Sequence, residues 1–182
     1  QVFWNNEFGV NESRRDDLSA QVIKNSNIQV FRFDDQVIYE PGLLRTGQGK
    51  PFSVFTPFKR RWVENFDMNF LDIRKPSSLK KLISLHNKSS KIQYSRIHKV
   101  DLSLWPAGED AAKERLSNFL KLKVTDYSHS RNSPILDGTS RISPYLALGI
   151  LSPRRCILEG LKLNNFEFTS GNKGICKWLD EI

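Results

Sequence analysis

The sequence predicts an α/β segment followed by an all-α segment, on three observations. Gln1–Trp4 and Ile28–Phe33 are short β-rich runs with a helical stretch between them, the order of a parallel βαβ unit. The last third of the chain carries repeated helix-start signals and apolar residues spaced three and four apart. Residues 67–106, between these parts, show weak periodicity, many Lys and Ser, and no repeat. A βαβ unit at residues 1–36, a connector at 37–106 and a helical part at 107–182 follow from this texture.

Taken in chain order, Gln1–Trp4 reads as the first strand, and Asp16-Asp17 as the acidic first turn of a helix with Leu18, Val22 and Ile23 at helical spacing. Ile28–Phe33 is the second strand, ending at Asp34-Asp35. A turn-rich stretch runs from Glu40-Pro41-Gly42 to Gly47-Gln48-Gly49. Thr56-Pro57 reads as cap and first helical residue, with Phe58, Trp62 and Phe66 on one face. Glu109 and Asp110 start a further helix whose buried face is Ala112, Leu116, Phe119 and Leu120. Ser143-Pro144 and Ser152-Pro153 are cap-plus-proline starts for helices over 145–150 and 154–163, and a last helix runs from Asn172 to the end. One βαβ unit cannot make a stable sheet alone, and the chain starts at Gln1 within a strand and stops at Ile182 within a helix. Both facts lead us to expect an internal piece of something longer.

Composition narrows the function classes. The chain has 182 residues with 28 Lys and Arg against 20 Asp and Glu, a formal net charge of +8, and its 11% aromatic content is too high for a disordered chain. The charge is uneven: residues 58–109 carry eleven basic against five acidic side chains, whereas residues 1–57 carry six against seven. A basic middle suits a polyanion partner, since Lys and Arg that neutralise phosphates supply nucleic-acid affinity without sequence preference. No run approaches the ~20 apolar residues of a membrane span, and no basic-then-apolar leader opens the chain. The only cysteines, Cys156 and Cys176, have no partner at metal-ligand spacing, so no metal site is expected; Cys156 reads as a small buried hydrophobe. A reducing, cytoplasmic setting and a monomer are the expectations.

Two neighbouring stretches could carry chemistry. Asp137-Gly138-Thr139-Ser140-Arg141-Ile142-Ser143-Pro144 packs hydroxyls, a guanidinium and a permissive glycine into a loop that opens a helix, a donor set suited to phosphate or diphosphate; an ordinary capped helix start has the same composition. Upstream lies Tyr127-Ser128-His129-Ser130-Arg131-Asn132-Ser133-Pro134.

Together these stretches, Tyr-x3-Arg-Asn-x-Pro and then Gly-Thr-Ser-Arg-Ile-Ser-x-Tyr-Leu, resemble the flavin-binding entrance of the DNA photolyase/cryptochrome family. Trp4-Asn5, Val10-Asn11-Glu12 and Arg15-Asp16 look like the end of the family's antenna-binding domain, Phe55-Thr56-Pro57-Phe58 like its interdomain helix start, Trp105-Pro106-Ala107-Gly108-Glu109 like the start of its helical domain, and Trp178-x-x-Glu181 like the helix that faces flavin and DNA. The resemblance spans the chain, is weakest at 67–103, and is nearest to bacterial folate-antenna photolyases of cyclobutane pyrimidine dimers.

The resemblance implies the end of a Rossmann-like antenna domain, a connector, and the first helices of an all-helical FAD-binding domain. It implies FAD contacts at Tyr127, Thr139, Ser140, Arg141, Ile142, Ser143 and Trp178, although Trp178 reads equally well as a core residue. Arg131 and, more weakly, Ser128 match contacts to UV-damaged DNA, with Arg154 and Arg155 adding phosphate affinity. Glu181 matches the glutamate that hydrogen-bonds the flipped-out pyrimidine dimer. Asn11 and Glu12 match antenna contacts to a reduced folate, 5,10-methenyltetrahydrofolate. The implied activity is light-driven repair of pyrimidine dimers; a cryptochrome-type blue-light receptor with the same flavin site, or a non-enzymatic nucleic-acid-binding module, are the competing expectations.

Overall fold

The computed structural model describes residues 1–72 and 102–182; the stretch of the expected connector from 73 to 101 lies outside them. β1 (Val2–Asn5) and β2 (Val30–Phe33) pair in parallel, Val2 opposite Val30 and Asn5 opposite Phe33, with α1 (Val10–Asn25) as the crossover. The expected βαβ unit is therefore present. Its helix starts earlier than Asp16: Gly9 is the N-cap, its carbonyl accepts from Ser13 N–H at 2.8 Å, and Glu12 supplies the acidic first turn. The face expected from Leu18 and Val22 points outward, and Asp16 and Ala20 are the buried positions instead. Asp16 can be buried because it is bonded: Arg15 donates to its Oδ1 at 2.7 Å and the Glu7 N–H reaches its Oδ2 at 3.4 Å.

α2 (Phe55–Glu64) begins one residue before Thr56, with Val54 at the N-cap, so Thr56 is not the cap. Trp62 and Phe66 stack at 5.1 Å, and Phe168 meets both rings edge-on. A 3-10 turn at Met68–Leu71, capped by Asp67, follows and buries Leu71.

The helical part comprises α3 (Glu109–Leu122), a 3-10 turn at Val124–Asp126, α4 (Tyr127–Ser130), α5 (Ser143–Ala147), α6 (Pro153–Leu163) and α7 (Lys173–Leu179). α3 buries Ala112, Leu116, Phe119 and Leu120, the face its spacing predicts. The Ser152 hydroxyl caps α6, as expected, accepting from the Arg154 N–H. Ser143 does not cap α5, where Ile142 holds the N-cap, and the helix stops at Ala147 because Gly149 (φ 67°) turns the chain. α7 likewise ends at Leu179, short of the chain end. Its approach to the turn before α4 requires Gly174, where a Cβ would stand 2.2 Å from the Val124 carbonyl oxygen. One core runs through Leu116, Phe119, Tyr127, Tyr145, Leu161 and Trp178, with Trp62, Phe66 and Phe168 packed against it. Cys156 sits fully buried in this core, which pushes its thiol up to about 12. It is inert packing, as expected from its place on the apolar side of α6.

Arg154 joins the two parts. Its guanidinium donates to the Phe70 carbonyl at 2.6 Å, the Val37 carbonyl at 3.0 Å and Asp35 Oδ1 at 3.2 Å. These three acceptors occupy the side chain, so the expected role for Arg154 in phosphate binding is replaced by a structural one. Lys59 on α2 adds a second tie to Asp180 at 2.6 Å.

Candidate functional site

α4 and α7 pack side by side, and this brings together residues fifty positions apart. Arg131, at the C-cap of α4, pairs directly with Glu181, just past the end of α7. Lys177 pairs with the same carboxylate oxygen, Oε1, at 2.9 Å. The Arg131 guanidinium also lies 5.8 Å from the centre of the Tyr127 ring. Lys177 first, and then Arg131, hold the Glu181 carboxyl below the usual carboxylate range against the opposing effect of its partial burial. Burial pushes the Tyr127 phenol upward, and the nearby Glu181 charge adds to this.

An open groove of about 540 Å³ borders this cluster, lined by Ser128, Arg131, Asn132, Lys173 and Lys177 among others. Asp180 also lines it, but its charge is spent on Lys59. The groove is therefore rimmed by cations and amide or hydroxyl groups, a surface that accepts anions and hydrogen-bonding bases.

The loop at 137–143 forms a second feature. Thr139, Ser140 and Arg141 line a cleft of about 340 Å³ together with Arg115 and Lys123 from α3 and its C-cap. Asp137 sits between two cations, at 2.5 Å from Lys123 and 3.0 Å from Arg141, and Lys123 holds its carboxyl below the usual range. Arg141 adopts φ 51°, a left-handed conformation that non-glycine residues rarely take. Its carbonyl is held by the Trp105 indole N–H at 3.1 Å, and Tyr145 fastens the same corner through its hydroxyl to the Pro106 carbonyl at 2.8 Å. A strained residue kept in place by its surroundings is a feature of binding loops. The Arg115 Nε is buried without a hydrogen-bond partner among the described residues, an orphan donor on the same cleft.

Not every expected residue stands at a surface. Ile142 is 2% exposed and anchors the loop in the core, so its side chain is not presented to a ligand. Trp178 is 1% exposed and packs against Phe119 at 5.4 Å; its burial favours the core role over the flavin-neighbour role. Tyr127 meets Phe119 edge-on at 5.7 Å and is largely buried too. Thr139, Arg141 and Ser143 are exposed, and Ser140 is half-buried. Asn11 and Glu12 lie in the first turn of α1, distant in sequence from both features, with Asn11 exposed and Glu12 folded back toward Gly9. Sequence reasoning missed Lys177, Arg115 and Lys123. Only Lys177 left a signal, its position four residues before Glu181 in a stretch whose sequence reads as one helix.

A parallel α/β element locked to a helical element, with a cationic groove and a hydroxyl-rich loop on the helical side, defines a two-part ligand-binding architecture. The DNA photolyase family matches residues 1–78. Over the whole chain, the sequence is 35% identical to the deoxyribodipyrimidine photo-lyase of Vibrio cholerae, covering 39% of that protein. It is 32% identical to the enzyme of the same name from Escherichia coli, again over the whole chain and covering 38% of that protein. Among solved structures, a class III photolyase from Agrobacterium tumefaciens superposes with a TM-score of 0.71 at 21% identity, covering 99% of this chain and 38% of that one. A cryptochrome from Synechocystis gives 0.69 at 22% identity, covering 99% of this chain and 39% of that one. At those identities the structural likeness speaks to the fold. The chain belongs to the DNA photolyase family and is homologous to a segment of the deoxyribodipyrimidine photo-lyases, spanning about 39% of the length of the first relative.

Proposed function

We propose that this chain is the domain junction of a light-driven DNA repair enzyme of the deoxyribodipyrimidine photo-lyase type, acting on UV-induced cyclobutane pyrimidine dimers. The carrying observation is the pairing of Glu181 with Arg131, which lines the cationic groove. In this reading Arg131, with Ser128 beside it, takes a phosphate of damaged DNA, and Glu181 accepts from a donor on the flipped-out base. A dimer leaves the stack at lower cost than an intact pair, because it is already poorly paired.

FAD is the cofactor of this reading, and the loop's donors fit its phosphate end. Thr139, Ser140 and Arg141 supply hydroxyl and guanidinium groups on the cleft, and Arg115, whose buried Nε has no hydrogen-bond partner among the described residues, lines it too. Ser143 offers a further hydroxyl at the head of α5, and Ile142 fixes the loop from below. A reduced flavin held there would supply the light-excited electron that splits the cyclobutane ring and recover it afterwards. The chain's residues bind, orient and stabilise charge. We assign a folate antenna, 5,10-methenyltetrahydrofolate, to Asn11 and Glu12, whose amide and carboxylate suit a pterin's donor and acceptor edge. A monomer is the proposed state.

Illumination of dimer-containing DNA with the intact protein tests the reading. Dimers lost in light and retained in darkness are expected; unchanged dimers with flavin bound would favour a cryptochrome-type receptor, and absence of flavin would favour a plain nucleic-acid-binding module. Arg141→Ala is expected to lower flavin retention on gel filtration, since a phosphate partner is lost; unaltered retention would return the loop to an ordinary helix start.

A further inference from the structure

Glu181 has two cationic partners with different attachments. Lys177 lies in the last turn of α7, four residues before Glu181 in the same segment, whereas Arg131 comes from the C-cap of α4. Both meet Oε1, and no hydrogen bond to Oε2 is present among the described residues. The carboxylate is thus gripped at Oε1, with Oε2 left to accept a further hydrogen bond. The charged and titratable groups around it are Tyr127 of α4 and Arg131 at its C-cap, Lys177 from α7, the neighbouring Asp180, which Lys59 of α2 neutralises, and Tyr39 and Glu40, which line the same cavity as Glu181.

Arg131 is also the cation that the proposed reading gives to a DNA phosphate, and one guanidinium cannot serve both anions equally. Its fork matches a phosphate in two-point geometry, so an incoming phosphate competes with Glu181 for it. Loss of Arg131 would leave Glu181 beside the buried Tyr127 with a single counter-charge. Lys177 is the group that stays, because Glu181 directly follows the C-cap of the helix that carries Lys177 and its N–H is bonded to the Trp178 carbonyl at 3.0 Å, a connection independent of α4.

We propose that Lys177 is a positioning residue, which holds the Glu181 carboxylate in place when a nucleic-acid phosphate draws Arg131 away and leaves Oε2 to accept from a base. The inference rests on the repair reading above. Lys177 is also the largest of the influences that keep Glu181 ionised, ahead of Arg131, which agrees with a grip that survives the loss of one partner.

The test uses the intact protein with a dimer-bearing duplex and the same duplex undamaged. Lys177→Gln should lower affinity for the damaged duplex on the order of fivefold to tenfold beyond any loss on the undamaged one. The acid limb of light-driven repair should move to higher pH, because Glu181 then protonates at higher pH. Lys177→Arg should restore both. In a Glu181→Gln background, Lys177→Gln should add nothing, since the two residues act as one unit. Equal loss on both duplexes, persisting in that background, would make Lys177 an ordinary phosphate contact and overturn the proposal. No change in selectivity or in the acid limb would overturn it as well. Unchanged damaged-duplex binding by Glu181→Gln alone would remove the parent reading and the proposal with it, a result separable from any behaviour of Lys177. Matching thermal unfolding of the Gln and Arg variants guards against a folding artefact.

Discussion

The helical part and the βαβ unit solve the problem of burial in opposite ways. From α3 onward, apolar side chains close on one another: Ala112, Leu116, Phe119, Leu161 and Trp178 are all at most 3% exposed. In the βαβ unit Ala20 is the apolar side chain that is buried, and Phe3, Phe31 and Phe33 stay 57%, 38% and 52% exposed on the strands. Polar bonds hold that unit instead. Asp16 is bonded to Arg15 and the Glu7 amide, and Arg32 reaches both Asn6 and Asp17. Apolar packing fills volume and is felt at every methylene, whereas exposed polar pairs are worth little each. The helical part is therefore the cohesive body, and Arg154 ties to it the stretch that follows β2, through Asp35 and the Val37 carbonyl.

Substitutions should separate the two regimes. Phe119→Ala removes a ring that contacts both Tyr127 and Trp178, and it should cost about 3–5 kcal/mol in unfolding free energy. Denaturant unfolding of the intact protein measures this, and a cost below ~1 kcal/mol would deny the helical core its cohesion. Arg154→Met should cost about 1–3 kcal/mol by stranding the Phe70 and Val37 carbonyls. Its signature is regional: limited proteolysis should speed up at residues 34–54 and leave α3 and α6 intact.

A smaller effect is expected from pH. Arg15 holds the Asp16 carboxyl below the ordinary carboxylate range, overcoming the burial that acts the other way. Its contribution is complete above the ordinary Asp value and is lost as pH falls through the depressed one. Hydrogen exchange of the β1 and β2 amides between neutral and strongly acid pH should report that loss, and Asp16→Asn should flatten it. Least of all, Phe31→Ser should shift stability by no more than about 0.5 kcal/mol, since the ring stacks on Phe3 at the surface. A large cost there would show that the strand faces are covered in the intact protein.

Much of the fold is legible in the residues because local rules govern it. The buried face of α3, the Ser152-Pro153 start of α6 and the burial of Cys156 all follow from spacing and capping chemistry. The start of α1 was not legible, because its buried positions are Asp16 and Ala20 and no apolar stripe marks it. Thr56 and Ser143 have the composition of caps, yet the N-cap falls two residues before Thr56, at Val54, and one before Ser143, at Ile142. The loop between α6 and α7 was equally silent. There Asn164, 3% exposed, donates to the Glu167 and Ser170 carbonyls and accepts from the Asn172 amide, which sets where α7 begins.

By itself the sequence determined the order of elements, the phosphate-suited chemistry of residues 137–143, and the motifs that place Tyr127, Arg131 and Glu181 in a photolyase-like pattern. Only the tertiary structure decided that Arg131 and Glu181 touch, that Lys177 shares the same oxygen, that Arg115 and Lys123 join the loop, and that Arg154 and Trp178 serve the framework. The physical reason is range. Propensity, capping and periodicity act within a few residues, whereas the packing of α7 against α4 across the close approach at Gly174 joins side chains fifty positions apart.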